Sequence, residues 1–406
     1  MPSTFPASDT AADTAANIDL PLSSSPSLHL TYPTPAECQQ IWTLIHPSWG
    51  DSLSLPDFLS ESAYLLTVPL ARDGNMTLWI LVDRNLPPDQ RPILASCETF
   101  KKSAVHVGAA AVTGAEGEVR DVTLHGIASV YCDPKYRGRG YAQRMMKELG
   151  EVLRTWQVSD GERCVGSLLY SDIGKVYYAK LGWEPVGRNT HLEFPTSKTD
   201  ESQKLESESE SVVLDADLDA LCKRDEDLVR KRLAGSGKNA LMVLPDADHM
   251  RWHHAKEDFV CGRIFERKCP LKGALVGELD RKDRVWAIWT RRFYGAGETA
   301  RRENTLYILR LVFEKENPGK EDMAKMRRAL KIVVRTAQAE AEFWGLGTVK
   351  LWDPSPLVLE LIKGIEVEYR LVEREQECIA SLMWYGDGGR DEEAPEWTAN
   401  EKFAWL

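Results

Sequence analysis

Residues 126–146 carry the types and spacing best suited to holding a phosphorylated ligand. Gly126 to Cys132 is small, apolar and β-branched, as suits a buried strand, and Asp133-Pro134 ends regular pairing because proline has no N–H. Arg137-Gly138-Arg139-Gly140 follows, with two residues that lack a Cβ, so backbone N–H groups there can approach a pyrophosphate closely. Tyr141 and Ala142 then open a helix that runs from Gln143 to Leu153, and its positive N-terminal end faces the same anion. The dinucleotide fingerprint is absent, since Gln143 stands three residues beyond Gly140, and no Gly-Lys-Ser/Thr triplet follows.

The segment resembles motif A of the GCN5-related N-acetyltransferase (GNAT) superfamily, an arginine or glutamine, two residues, glycine, one residue, then glycine or alanine, met here by Arg137, Gly140 and Ala142. The resemblance covers about residues 28–195 and implies an acetyl-CoA co-substrate, held by backbone groups of Val130 and Cys132 and by the turn Arg137, Gly138, Arg139, Gly140, Tyr141 and Ala142. It also implies an oxyanion donor in the N–H near Val130.

Acetyl transfer to an amine needs a polarised carbonyl, a neutral amine held in line and a proton for the departing thiolate. Tyr178-Ala-Lys-Leu-Gly-Trp183 resembles the superfamily's Tyr-x-x-x-Gly-Phe element, which makes Tyr178 the candidate general acid. His125 on the motif strand is a candidate base or a structural histidine. Glu98 on the preceding strand and Asp172 after the strand at 164–170 are alternatives, acting through water or pairing with a cationic substrate. Asp172 is also placed to cap a helix starting near Gly174. Cys132 has no neighbour that would activate it and reads as a core thiol.

The run Leu169-Tyr-Ser-Asp-Ile-Gly-Lys-Val-Tyr-Tyr-Ala-Lys-Leu-Gly-Trp183, with Trp252-His253-His254 in a long C-terminal half, resembles the fungal lysine N-acetyltransferases of lysine catabolism. That resemblance implies transfer from acetyl-CoA to the side-chain amine of L-lysine. A free amino acid also requires a partner for its carboxylate, for which His253, His254 or an arginine are candidates that the sequence does not choose between. Another small amine, a peptide amine, or a non-catalytic acyl-CoA-binding module are the competing readings.

The expected architecture is α/β. Residues 1–26 read as a loosely attached tail, 27–196 as a GNAT domain with a mixed central sheet, 197–211 as an acidic Ser/Glu-rich linker, and 212–406 as a second α/β domain that shapes the substrate cavity. Strand-like runs stand at 259–267, 273–278, 284–290 and 304–314, and helical ones at 215–234 and 321–344. Strand 305–314, helix 322–344 and strand 348–352 repeat the order of 122–181, so the second half reads as a degenerate copy of the fold whose glycine turn is reduced to Gly319.

A net charge of −11 with no basic stripe argues against general nucleic-acid binding. Eight cysteines without a Cys-x-x-Cys pair suggest neither a disulfide framework nor a zinc site, so no metal is expected. No segment has membrane-spanning length, and no Arg or Lys precedes Arg72, which speaks against a presequence. A cytoplasmic enzyme is the simplest expectation.

Overall fold

Two long strands, Ala95–Val107 and Val119–Tyr131, anchor the first of two sheets in the computed structural model. The structure describes residues 20–108, 117–196, 210–278, 282–295, 300–315, 318–386 and 393–405. In the first half the order is β1 (Leu28–Thr31), α1 (Pro35–Trp49), α2 (Leu55–Leu65), β2 (Met76–Asp83), β3 (Ala95–Val107), β4 (Val119–Tyr131), α3 (Tyr141–Val152), β5 (Cys164–Ser171), α4 (Val176–Ala179), β6 (Glu184–Pro185) and β7 (Thr190–Pro195). The second half continues with β8 (Glu210–Val213), α5 (Leu218–Ala234), β9 (Ala240–Val243), α6 (Ala247–Ile264), β10 (Gly273–Val276), β11 (Val285–Arg292), β12 (Thr305–Phe313), α7 (Lys320–Phe343), β13 (Thr348–Trp352), α8 (Pro356–Ile362), β14 (Arg370–Glu373), β15 (Ile379–Trp384) and β16 (Glu396–Trp397).

The sheets have matching layouts. In the first, β3 and β4 are antiparallel, β4 and β5 parallel, and β5 pairs antiparallel with β15. In the second, β11 and β12 are antiparallel, β12 and β13 parallel, and β13 pairs antiparallel with β7. Each half therefore donates a strand to the other's sheet, and β6 on β15 and β14 on β7 complete the exchange. The boundary drawn at residue 196 is crossed in both directions. Helix α3 buries Met145, Met146 and Leu149 on the first sheet, and α7 buries Leu330, Val333, Val334 and Ala337 on the second. Both stripes follow helical spacing.

Three expectations change. Residues 20–26 of the supposed loose tail are docked: Tyr141 Oη donates to the Pro21 carbonyl at 2.6 Å and Arg144 donates to the Ser23 carbonyl at 2.8 Å. Composition predicted too little apolar surface to order this segment, but polar anchors on α3 do so; residues 1–19 lie outside the described residues. The run at 259–267 is not a strand. Its residues 259–264 close helix α6, which Asp246 starts by accepting the His249 N–H at 2.9 Å, and Trp252, His253, Glu257, Val260 and Cys261 form its buried face. Of the expected linker, 197–209 lie outside the described residues, while Glu210 and Ser211 belong to β8. No helix among the described residues is long and apolar enough to cross a membrane.

Candidate active site

Strand β4 is interrupted where the chemistry is expected. Glu98 on β3 faces Ala128, yet the next register pair is Ser96 with Tyr131, so Ser129 and Val130 bulge out of the ladder. Ser129 takes a left-handed φ of 51° to do so. On the other edge, pairing of β4 with β5 stops at Ile127 and Leu169 although both strands run on. The strands splay, leaving backbone groups around Val130 outside the sheet on both edges. An extended ligand fits such a gap by adding hydrogen bonds in place of a strand.

The glycine turn follows. Gly138 and Gly140 have φ of 76° and 82°, the left-handed region that glycine enters freely. Gly140 caps α3 without any side-chain hydrogen bond, so among the described residues the first N–H groups of the helix have no intrahelical or side-chain partner. A Cβ on Gly140 would stand 2.9 Å from Ser23 Oγ in the docked N-terminal segment, so that hydroxyl would have to move aside. Backbone N–H groups at such a turn can hold an anion such as a pyrophosphate. The Tyr141 side chain is buried and engaged with Pro21, leaving only its backbone for a ligand. Arg139 is exposed, and Arg137 Nε donates to the Cys132 carbonyl at 2.9 Å, so that carbonyl already has a partner. Burial pushes the Cys132 thiol up, away from the thiolate form a nucleophile needs.

Beside the bulge lies a cavity of about 280 Å³ between the two sheets. Its walls include Trp42, Phe58, Phe100, Trp252 and Phe293, with polar groups from both halves of the chain. Five of the expected residues meet there: Glu98, Val130, Tyr178, Asp172 and His253. His125 is not among them. It is fully buried on the other side of β4, its Nε2 3.2 Å from Gln157 Oε1 and its Nδ1 3.3 Å from Cys164 Sγ. Burial lowers its pKa to about 4, which keeps it neutral and structural. The bulge begins at Ser129, four residues too late to turn His125 toward the cavity.

Glu98 points into the cavity because strand alternation places residues 98, 100 and 102 on one face. Its Oε2 accepts from Ser129 Oγ at 2.9 Å. Burial raises its pKa, with the Ser129 hydrogen bond and the charge of Lys256 pulling the other way. Tyr178 sits on α4, and the turn that follows the helix passes through Gly182 (φ 102°) as the Trp183 N–H bonds back to the Tyr178 carbonyl at 3.0 Å. Burial, reinforced by Tyr177, raises the Tyr178 phenol, so at neutral pH it is a proton donor. Trp183 is a core residue, with Nε1 donating to Ser167 Oγ at 3.0 Å. Asp172 does not cap α4; its Oδ1 accepts the Cys378 N–H at 3.0 Å from the strand-exchange segment. His253 Nε2 lies 3.2 Å from the Phe403 carbonyl, and burial keeps its pKa well below the ordinary value.

Further polar residues line the cavity, Glu61, Lys102 and Lys402 among them. Glu61 Oε2 pairs with Lys256 at 2.8 Å, while its Oε1 is buried without a hydrogen-bond partner. Lys102 Nζ lies 3.0 Å from His249 Nε2, and His249 Nδ1 lies 2.7 Å from Asp246 Oδ1. Burial lowers the Lys102 pKa to about 7, partly offset by Asp246. Lys402 is buried among three aromatic rings. Lys102 could have been found from the inward register of β3; Glu61 and Lys402 come from segments with no local signature.

Parallel β4 and β5 splayed at a bulge, the glycine turn, and a tyrosine facing the gap define a GNAT N-acetyltransferase, an enzyme that draws its acyl group from a coenzyme A thioester. Residues 99–185 match the acetyltransferase (GNAT) domain, and residues 191–406 match the family described as the LYC1 GNAT-like C-terminal domain. That second match spans more than half the chain, and the protein belongs to this family; the repeated fold expected from the element order is a GNAT-like domain. Among curated relatives, the uncharacterized protein YGR111W of Saccharomyces cerevisiae is 24% identical over 355 residues, covering 81% of each chain. A lysine acetyltransferase of Yarrowia lipolytica is 24% identical over 163 residues, covering 37% of this chain and 38% of that protein. The fold is shared with a probable N-acyltransferase of Enterococcus faecalis (TM-score 0.51, 12% identity, covering 87% of this chain and 71% of that one). It is also shared with S. cerevisiae N-myristoyltransferase bound to myristoyl-CoA (TM-score 0.50, 10% identity, covering 90% and 80%).

Proposed function

We propose that the enzyme transfers an acetyl group from acetyl-CoA to the side-chain amine of free L-lysine within a ternary complex. The observation that carries this reading is the cavity itself: it is walled by aromatic groups from both halves, and presents the carboxylates of Glu98 and Glu61 beside the β4 bulge. A buried Glu61 oxygen without a partner suits an ammonium group, and the splay of β4 and β5 suits the pantetheine arm. The Yarrowia relative's activity, matched over part of its length, supports lysine as the amine.

In this account the N–H groups of the 138–142 turn hold the pyrophosphate and the Val130 N–H polarises the thioester carbonyl. Glu98, directly or through water, takes a proton from the substrate ammonium. The amine nitrogen then attacks the carbonyl carbon, a C–N bond forms, the C–S bond breaks and Tyr178 protonates the departing thiolate, while the second proton that the nitrogen sheds passes through water to restore the Tyr178 phenol. The C-terminal half closes the cavity through His253, Thr290, Tyr307 and Lys402, which supports its role in shaping the acceptor site. A panel of free amino acids, polyamines and peptides incubated with acetyl-CoA, with thiol release followed and products identified by mass spectrometry, tests the reading. Lysine-dependent release is expected; release only with peptides or polyamines would refute it.

A further inference from the structure

Five lysine and arginine side chains line the cavity: Lys102, Lys256, Arg291, Arg292 and Lys402. Four are engaged. Lys102 lies on His249, Lys256 pairs with Glu61 at 2.8 Å, Arg291 pairs with Glu257 and Glu340, and Arg292 pairs with Asp51 at 2.9 Å. Among the described residues, Lys402 has neither a carboxylate within ion-pairing distance nor a hydrogen-bond acceptor.

Its surroundings sharpen the point. Lys402 is 2% exposed, and its Nζ lies 3.2 Å from the ring centre of Trp405, 4.3 Å from Trp352 and 4.7 Å from Tyr307. Aromatic faces attract an ammonium, but they accept none of its three N–H groups in the way an oxygen does. Burial drives the Lys402 pKa well down; Cys378 and Asp172 favour its charge, while Arg292 and Arg374 oppose it. A buried ammonium facing a cavity without a counterion is expensive unless a ligand supplies one. Three rigid rings also fix the position of the head group, which an anion receptor requires.

We propose that Lys402 is the receptor for a carboxylate on the amine substrate, which makes the acceptor an amino acid and excludes polyamines as efficient substrates. This rests on the reading of the cavity as the acceptor site, and it deepens that reading by placing opposite charges in its wall. Glu61 and Glu98 meet the amine, while Lys402 meets the acid.

The test compares amines in matched pairs that differ only in the carboxylate: lysine with 1,5-diaminopentane, lysine with lysinamide, and ornithine with 1,4-diaminobutane. In the wild-type enzyme kcat/KM should favour the carboxylate member by about 10- to 100-fold, the range expected for a hydrogen bond between charged groups. In Lys402→Met, which keeps the volume of the side chain, that ratio should collapse toward one, chiefly through KM for the amino acid. A wild-type preference for the diamines, or an unchanged ratio in the folded variant, overturns the assignment. Should the variant fail to fold, the wild-type pairs decide alone. A preference for ornithine over lysine with the carboxylate advantage intact would uphold Lys402 and remove lysine as the substrate.

Discussion

Glu98 and Ser129 meet across the one register shift between β3 and β4, with Ser129 Oγ donating to Glu98 Oε2 at 2.9 Å. The bulge that takes the Val130 N–H out of the ladder also turns Ser129 toward the carboxylate, so candidate oxyanion donor and candidate base are set by a single backbone feature. Replacing Glu98 by glutamine keeps the shape but removes the proton acceptor. The expected loss in kcat is about 10²- to 10⁴-fold, the usual contribution of a general base. Because burial raises the Glu98 pKa, wild-type kcat/KM should rise with pH as this carboxyl deprotonates, at a midpoint above the ordinary carboxylate range. The glutamine variant should lack that limb, and a pH–rate profile of both proteins checks it.

Tyr178→Phe removes the proton donor from a side chain whose ring still packs against Tyr177 at a 5.0 Å centroid distance. Turnover should fall by about 10²-fold or more while acetyl-CoA affinity stays within a few fold. Calorimetric titration with CoA and steady-state kinetics separate the two quantities. An unchanged kcat across the pH range removes Tyr178 as the acid.

Gly140→Asp meets two obstacles, a positive φ and the Ser23 Oγ that would stand 2.9 Å from its Cβ, and adds a negative charge to the anion cradle. Affinity for acetyl-CoA should fall at least tenfold. The thermal midpoint should fall as well, and saturating CoA, which should raise it in the wild type, should no longer do so. Wild-type affinity in this variant would refute the turn as the pyrophosphate site.

Lys102 gives a pH signature in stability. Its folded pKa of about 7 lies below the ordinary 10.5, so between these values the unfolded chain binds the proton that the folded chain has released. Stability attributable to this residue therefore rises with pH from about 7 to 10.5 and is lowest below that window. Lys102→Met should be more stable than the wild type by on the order of 2–4 kcal/mol at pH 6–7, and the advantage should vanish above pH 10.5. Denaturant unfolding at four or five pH values measures it.

What could be read in the sequence was local. The strand, proline, glycine turn and helix at 126–153 follow from residue types within one stretch, and the repeat of strand, helix and strand at 305–352 follows from periodicity. The exchange of β7 and β15 was hidden because two-residue alternation identifies a strand but not the sheet that receives it. His125 was misplaced for a related reason. Its position on the motif strand was evident, but the face it presents depends on where the bulge falls, and that is set by pairing with β3. Lys402 gave no signal at all, since its role comes from Trp352, Tyr307 and Trp405, the first two distant in sequence.

The most direct measurement is the site of acetylation in the product formed from acetyl-CoA and free L-lysine, read by tandem mass spectrometry on purified wild-type enzyme. Stoichiometric thiol release is expected, with the acetyl group on the side-chain nitrogen. Acetylation at the α-nitrogen, or no lysine-dependent release from an enzyme that acetylates another amine, would contradict it.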